Sequence, residues 1–131
     1  MRGVDTNILV RYIVADDPGQ FRAATRFIER ECSPQEPGFI NRLTLAEVVW
    51  ALESSYKMPR LAIVSALRLL LGANQLSIED VDDARAALHE YEDGADFSDS
   101  LIAKANARLG CEYTVTFDRS ASRRSGFRLI K

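Results

Sequence analysis

Gly3-Val4-Asp5-Thr6-Asn7 is the stretch on which the reading of this chain turns. Apolar Val4 leads into the Asp5 carboxylate, and Thr6-Asn7 then opens the helical pattern Ile8, Leu9, Tyr12, Ile13. That order predicts a strand over residues 2–5 that ends at a carboxylate, with a helix over about 7–14 directly behind it. Open α/β sheets bind ligands beyond the carboxyl ends of their strands, so Asp5 is a candidate site residue. The plainer alternative is that Asp5 or Thr6 only caps the helix.

Outward from that stretch the chain alternates. Asp16-Asp17-Pro18-Gly19 marks a turn and a helix start, and Phe21, Ala24, Phe27 and Ile28 repeat at helical spacing as far as Cys32. Pro34 and Pro37 break that helix, and Gly38 to Asn41 suits a second parallel strand. Helices are predicted over 43–56 and 60–71, the latter stopped by Gly72. A third strand over 75–78 precedes a polar helix over 79–91 and another over 98–109, with Gly110 at its C-terminal end. Tyr113 to Phe117, β-branched and aromatic, is the strongest strand signal, and 127–130 closes the sheet. The pattern predicts an α/β fold: a three-layer α/β/α sandwich around a central, mostly parallel sheet of four or five strands. One domain over residues 1–131 is expected to hold all of it.

Composition narrows the chemistry. At 47% hydrophobic and 27% charged, the chain has an ordinary globular balance. No apolar run approaches the ~20 residues of a membrane span, and no basic-then-apolar leader precedes Asp5, so a cytoplasmic protein is expected. Cys32 and Cys111 lie far apart in no metal-binding spacing; both are expected to be reduced, with Cys111 in the core at a strand edge. His89 is the only histidine, which excludes multi-histidine zinc sites and leaves a Ser-His-Asp triad hanging on one residue of an acidic helix. A metal here would be held by oxygen, which points to Mg²⁺ or Mn²⁺.

The net charge of −2 is not the bulk signature of a nucleic-acid binder. Its distribution is uneven. Acids dominate from Glu79 to Asp99, and after Asp118 come only cations: Arg119, Arg123, Arg124, Arg128 and Lys131. A basic tail beside an acidic site would let phosphates approach; a solvated tail is the alternative.

Three further acids fall where Asp5 falls. Glu47 lies early in the helix after the second strand, Asp99 opens the helix after Gly94-Ala95-Asp96-Phe97-Ser98, and Asp118 ends the strand Tyr113-Thr114-Val115-Thr116-Phe117. Parallel strands share a direction, so their ends and the following helix starts lie on one edge, and these carboxylates could meet in one pocket. Each also has a structural alternative. Thr44-Leu45-Ala46-Glu47 fits a capping box, Asp99 suits a first helical turn, and Asp118 suits a turn. Clustered carboxylates repel and raise each other's pKa unless a cation joins them. A divalent ion would stabilise such a cluster and give it a use on phosphoryl groups.

Asp5-Thr6-Asn7, Leu43-Thr44-Leu45-Ala46-Glu47, Asp96-Phe97-Ser98-Asp99-Ser100-Leu101-Ile102-Ala103 and Thr114-Val115-Thr116-Phe117-Asp118 together resemble the acidic motifs of PIN-domain proteins. More closely they resemble the VapC toxins of toxin–antitoxin pairs, in order along essentially the whole chain. The resemblance implies a metal-dependent endoribonuclease held inactive by a small cognate antitoxin. It implies Asp5 and Asp99 as principal Mg²⁺ ligands and Glu47 as the acid that orients or deprotonates a metal-bound water. Asp118 would be a more peripheral fourth acid. Asp96, one helical turn from Asp99, would either assist the metal or cap the helix. Thr6, Asn7, Ser98 and Thr116 would donate to the carboxylates. Arg119, Arg123 and Arg124, with Arg11 near the Asp5 end, are the expected RNA contacts.

Two other classes compete. A phosphatase or phosphotransferase using Asp5 as nucleophile would want an aspartate two residues on, where this chain has Asn7, and a nearby lysine from among Lys57, Lys104 and Lys131. A non-catalytic interaction module would use all the acids as caps. Partners are expected besides RNA. The helix Arg60 to Leu71 is apolar nearly all round, whereas a surface helix needs only one apolar stripe of about 100°. Either neighbouring helices bury it fully, or its excess face, with Trp50 and Tyr56, forms an interface; the family resemblance implies both a homodimer and an antitoxin segment lying in a hydrophobic groove near the acids. Leu67, Leu70 and Leu71 are the leucines expected to face outward.

Overall fold

In the computed structural model, which describes Met1 to Lys131, strands and helices alternate in the predicted order. The chain divides into two compact units, Met1–Val81 and Asp82–Lys131.

The first unit carries β1 (Arg2–Gly3), β2 (Gly38–Ile40) and β3 (Leu76–Ile78) with helices α1 (Thr6–Val14), α2 (Pro18–Arg26), α3 (Arg42–Ser54) and α4 (Arg60–Gly72). Its strands form a parallel sheet in the order β1-β2-β3, with Gly3 opposite Phe39 and Ile40 opposite Ile78. Gly38 is required at the centre: a Cβ there would lie 2.9 Å from a Val4 methyl and 3.2 Å from both Cys32 Sγ and a Leu76 methyl. Leu9, Ile28, Ile40, Leu45, Leu52, Ile63 and Leu67 are fully buried and make the core. Asp17 starts α2 by accepting the Gln20 N–H at 3.1 Å, with Pro18 at the first helical position. That helix continues through a π-helical turn, Phe27–Glu31, before Cys32 leaves it in an extended conformation.

The second unit carries α5 (Val81–Glu92, its first residue in the preceding unit), α6 (Phe97–Arg108), β4 (Thr114–Thr116), the short α7 (Arg119–Ser122) and β5 (Phe127–Leu129). β4 and β5 pair in parallel, Thr114 with Phe127 and Thr116 with Leu129. Tyr91 and Phe97 are buried edge to face, 6.0 Å between ring centroids.

The α/β class and parallel pairing agree with the sequence reading; the sheet differs. Instead of one ladder of four or five strands there are a three-stranded and a two-stranded ladder, built from strands of two or three residues that offer few backbone pairs. α7 was not anticipated, being only four residues long and set by Asp118 rather than by hydrophobic period. Cys111 is exposed, not core. Gly110, at φ 95°, ends α6, and Cys111 donates its N–H back to Asn106 in that turn, three residues short of β4.

α4 also corrects its expectation. Ile63, Val64, Leu67, Leu70 and Leu71 form one buried face, so Leu67, Leu70 and Leu71 point inward. The excess apolar surface is Leu61 and Leu69, 69% and 76% exposed. No helix is long and apolar enough to cross a membrane.

Candidate active site

The second unit brings three of the predicted acids to one cavity of about 310 Å³, lined by Asp96, Asp99 and Asp118 together with Glu90, Ser100 and Arg124. Each aspartate is held by a helix start. Asp96 is extended, as an N-cap must be, and its Oδ2 accepts the Asp99 N–H at 2.9 Å. Asp99 thereby stands in the first turn of α6, on the cavity wall. Asp118 caps α7, its Oδ1 accepting the N–H groups of Ser120 and Ala121 at 2.8 and 3.2 Å. The caps at Asp96 and Asp118 leave room for a site role, because each cap uses one carboxylate oxygen and a carboxylate has two.

The electrostatics single out Asp99. Burial raises its carboxyl above the ordinary aspartate value, and the charges of Asp96 and Asp118 raise it further. Glu90 on the same wall goes the other way. Burial alone would raise it, but hydrogen bonds from Lys104 and Ser100 and the charge of Arg124 outweigh that and keep it lowered. Glu90, Ser100 and the pairing of Glu90 with Lys104 were missed by sequence reasoning, since α5 and α6 meet at residues fourteen apart with no local motif to mark them. Lys104, one of the three lysines considered for a phosphotransferase, is committed to Glu90.

In the first unit β1 stops at Gly3 rather than at residue 5, and Asp5, two residues on, caps α1 by accepting the Thr6 N–H at 2.8 Å. The Thr6 hydroxyl is buried without a hydrogen-bond partner, which costs free energy unless a ligand or water meets it. Glu47 is exposed, and its capping-box alternative does not hold. The cap of α3 is Asn41, whose side chain accepts the Thr44 N–H at 2.8 Å, so the helix begins at Arg42 and Glu47 lies beyond the first turn. β1 and β2 run parallel, and continuing their register sets Asp5 beside Asn41 on the carboxyl edge from which α3 rises. Glu79, at the end of the neighbouring β3, is neutralised: the Arg42 N–H, at 2.9 Å, and the Arg42 guanidinium hold it below the usual glutamate range. Arg42 also pairs with Asp80.

The remaining predicted residues divide. Thr116 Oγ1 accepts the Asp118 backbone N–H at 3.0 Å and so positions the turn rather than the carboxylate. Ser98 is half-buried beside Asp99 in α6, and Asn7 lines a separate hollow with Arg11. Arg11 is engaged with Gln20, Asp16 and Tyr56 at 2.7, 2.7 and 3.0 Å, which locks α1 to the start of α2. Arg119 and Arg123 are exposed, and Arg124 reaches from the cavity wall toward Asp93, 3.7 Å away.

No group of three or more His, Cys, Asp or Glu side chains stands close enough together to hold a metal ion alone. The donor chemistry nevertheless suits a hydrated one. Asp99 offers only oxygen donors and its charged form is disfavoured by burial and by its acidic neighbours, and Mg²⁺ characteristically keeps several waters and takes only one or two carboxylates beside a substrate phosphate. The model of one family, the PIN domain, matches residues 4–126. No curated protein and no solved structure gives a match to the chain.

Proposed function

The chain belongs to the PIN domain family, whose members are generally nucleases, and on that premise we propose that it is a metal-dependent endoribonuclease. We further propose that it acts as the toxin of a toxin–antitoxin pair. The observation that carries the reading is the meeting of Asp96, Asp99 and Asp118 in one cavity, with Asp99 raised by burial and by the other two. Three carboxylates facing a shared space repel one another, and a protein keeps such an arrangement where a cation offsets it. A bound Mg²⁺ or Mn²⁺ would supply Lewis-acid polarisation of a phosphodiester.

The chain's own residues supply the rest. Asp99 is the principal ligand of the second unit, and Asp96 fixes its position through the α6 cap. Asp118 is the peripheral acid, oriented by α7. For the first unit, the family resemblance names Asp5 as a metal ligand and Glu47 as the acid that orients or deprotonates a metal-bound water. Glu90, held charged by Lys104, braces the cavity wall. Arg119, Arg123 and Arg124 guide the phosphate backbone.

For protein partners, the exposed stripe Leu43, Glu47 and Trp50 on α3 and the exposed Leu61 and Leu69 on α4 are the surfaces proposed for a second copy and for the antitoxin. The test of the toxin reading is expression of the chain alone in a bacterial host. Growth arrest with fragmented RNA, relieved by Asp99→Asn, is expected; normal growth with intact RNA would overturn it.

A further inference from the structure

The two-stranded ladder has one face that nothing in the chain covers. Alternate residues of a strand share a face, and on this one Val115 is 55% exposed beside Arg128, with Phe117 and Ile130, the residues directly after β4 and β5, 76% and 40% exposed. The opposite face, Thr114, Thr116, Phe127 and Leu129, is half-buried, and Phe127 lines the acidic cavity. The Arg128 guanidinium lies over the Tyr113 ring, 3.8 Å from its centroid. Phe117 directly precedes Asp118, so an exposed aromatic ring stands next in the chain to an acid of the cavity.

The geometry points to this face as a base-stacking platform for single-stranded RNA, with Phe117 as its positioning residue. The inference rests on the ribonuclease reading and extends it from the phosphodiester to the base beside it. Charge decides the occupant. Residues 119 to 131 contain Arg119, Arg123, Arg124, Arg128 and Lys131 and no acid, so around the apolar face these five cations outnumber the two acids that flank β4, Glu112 and Asp118. A polyanion with flat, apolar bases complements that combination, whereas an uncharged apolar partner would have to desolvate the arginines. Sheet surfaces carrying exposed aromatics bind unpaired bases this way, by stacking that is tolerant of sequence. Phosphates would meet the arginines while a base lies on Phe117, which brings an adjoining phosphodiester toward the Asp118 end of the cavity.

The test is binding of fluorescently labelled oligouridylate in EDTA, which prevents cleavage, compared with an abasic oligonucleotide of equal length. The parent is expected to prefer the base-bearing strand. Phe117→Ala should weaken that strand by about fivefold or more and leave the abasic strand nearly unchanged. Phe117→Trp in a Trp50→Phe background should retain binding, and its indole fluorescence should be quenched as oligouridylate is added. Equal binding of both strands by the parent, no binding at all, or an unchanged affinity in Phe117→Ala would overturn the inference. So would self-association abolished by Phe117→Ala with oligonucleotide binding intact, which would give the face to a second copy. Cleavage of RNA by the parent with Mg²⁺ is scored separately. A parent that cleaves while Phe117→Ala binds normally sinks the platform alone. One that binds through Phe117 but never cleaves sinks the nuclease reading alone.

Discussion

Asp96 Oδ2 accepts the backbone N–H of Asp99 at 2.9 Å, so the residue that starts α6 also holds a like charge against the carboxylate it positions. The cap stabilises the helix while the charge destabilises ionised Asp99, and both effects are measurable.

Asp99 has a carboxyl raised above its unfolded value, first by burial and then by Asp96 and Asp118. The native state therefore binds the extra proton between the two values, and stability falls as pH rises through that window and is flat above it. Asp99→Asn is expected to remove this loss: without metal it should melt at or above the parent at neutral pH, with a flatter pH profile below. Thermal melts from pH 3 to 8 in EDTA decide it. A variant that melts well below the parent would make Asp99 a structural residue.

At α3 the cap and the candidate acid separate cleanly. Asn41→Ala removes the side chain that accepts the Thr44 N–H and is expected to cost about 1 kcal/mol. Glu47→Gln, exposed and beyond the first turn, should stay within about 0.5 kcal/mol of the parent while activity falls. Urea denaturation with a parallel cleavage assay reads both. A destabilised Glu47→Gln would restore the capping explanation.

Glu90 and Lys104 form a partly buried pair, with Glu90 held below its usual range despite burial. A lowered carboxyl contributes stability above the ordinary glutamate value and loses it as pH falls through the lowered one. Lys104→Met should cost about 1–2 kcal/mol at pH 7, moderated by solvent, because it strips Glu90 of a charged hydrogen bond. The Glu90→Gln, Lys104→Met double variant should recover part of that. A double variant as unstable as the sum of the two singles would show that the pair is not coupled.

On α4 the two faces predict opposite outcomes. Leu69→Glu and Leu61→Glu, on the exposed face, should fold normally and weaken self-association or antitoxin binding. Leu67→Glu puts a charge into the core and should prevent stable folding. Light scattering and melting curves of the three variants distinguish them; a Leu69→Glu protein indistinguishable from a parent monomer would remove this face from the proposed interface.

Much of the architecture was legible because it depends on local signals. The strand-then-carboxylate at Val4-Asp5, the Pro18 helix start and the Gly110 stop each act within a few residues. What was not legible depends on pairing at a distance. Glu90 meets Lys104 across two helices, and Arg42 neutralises Glu79 thirty-seven residues away. α4 was misjudged because composition hides phase: nine apolar residues looked uniform, yet the 3.6-residue period buries one set and leaves Leu61 and Leu69 outside. Thr44 to Glu47 looked like a capping box because the spacing matched, but Asn41, three residues earlier, took the cap. At Asp96 the cap and the site were offered as alternatives, although the cap uses only one of two carboxylate oxygens and so does not exclude the other role.

The most direct measurement is cleavage of a labelled single-stranded RNA by purified protein, with Mg²⁺, with EDTA, and after Mg²⁺ is restored, for the parent and for Asp99→Asn. Cleavage that stops in EDTA, returns with Mg²⁺, and falls by on the order of 100-fold or more in a fully folded Asp99→Asn is the expected result. Cleavage that persists in EDTA or in Asp99→Asn, or a parent that cuts no RNA under any of these conditions, would contradict it.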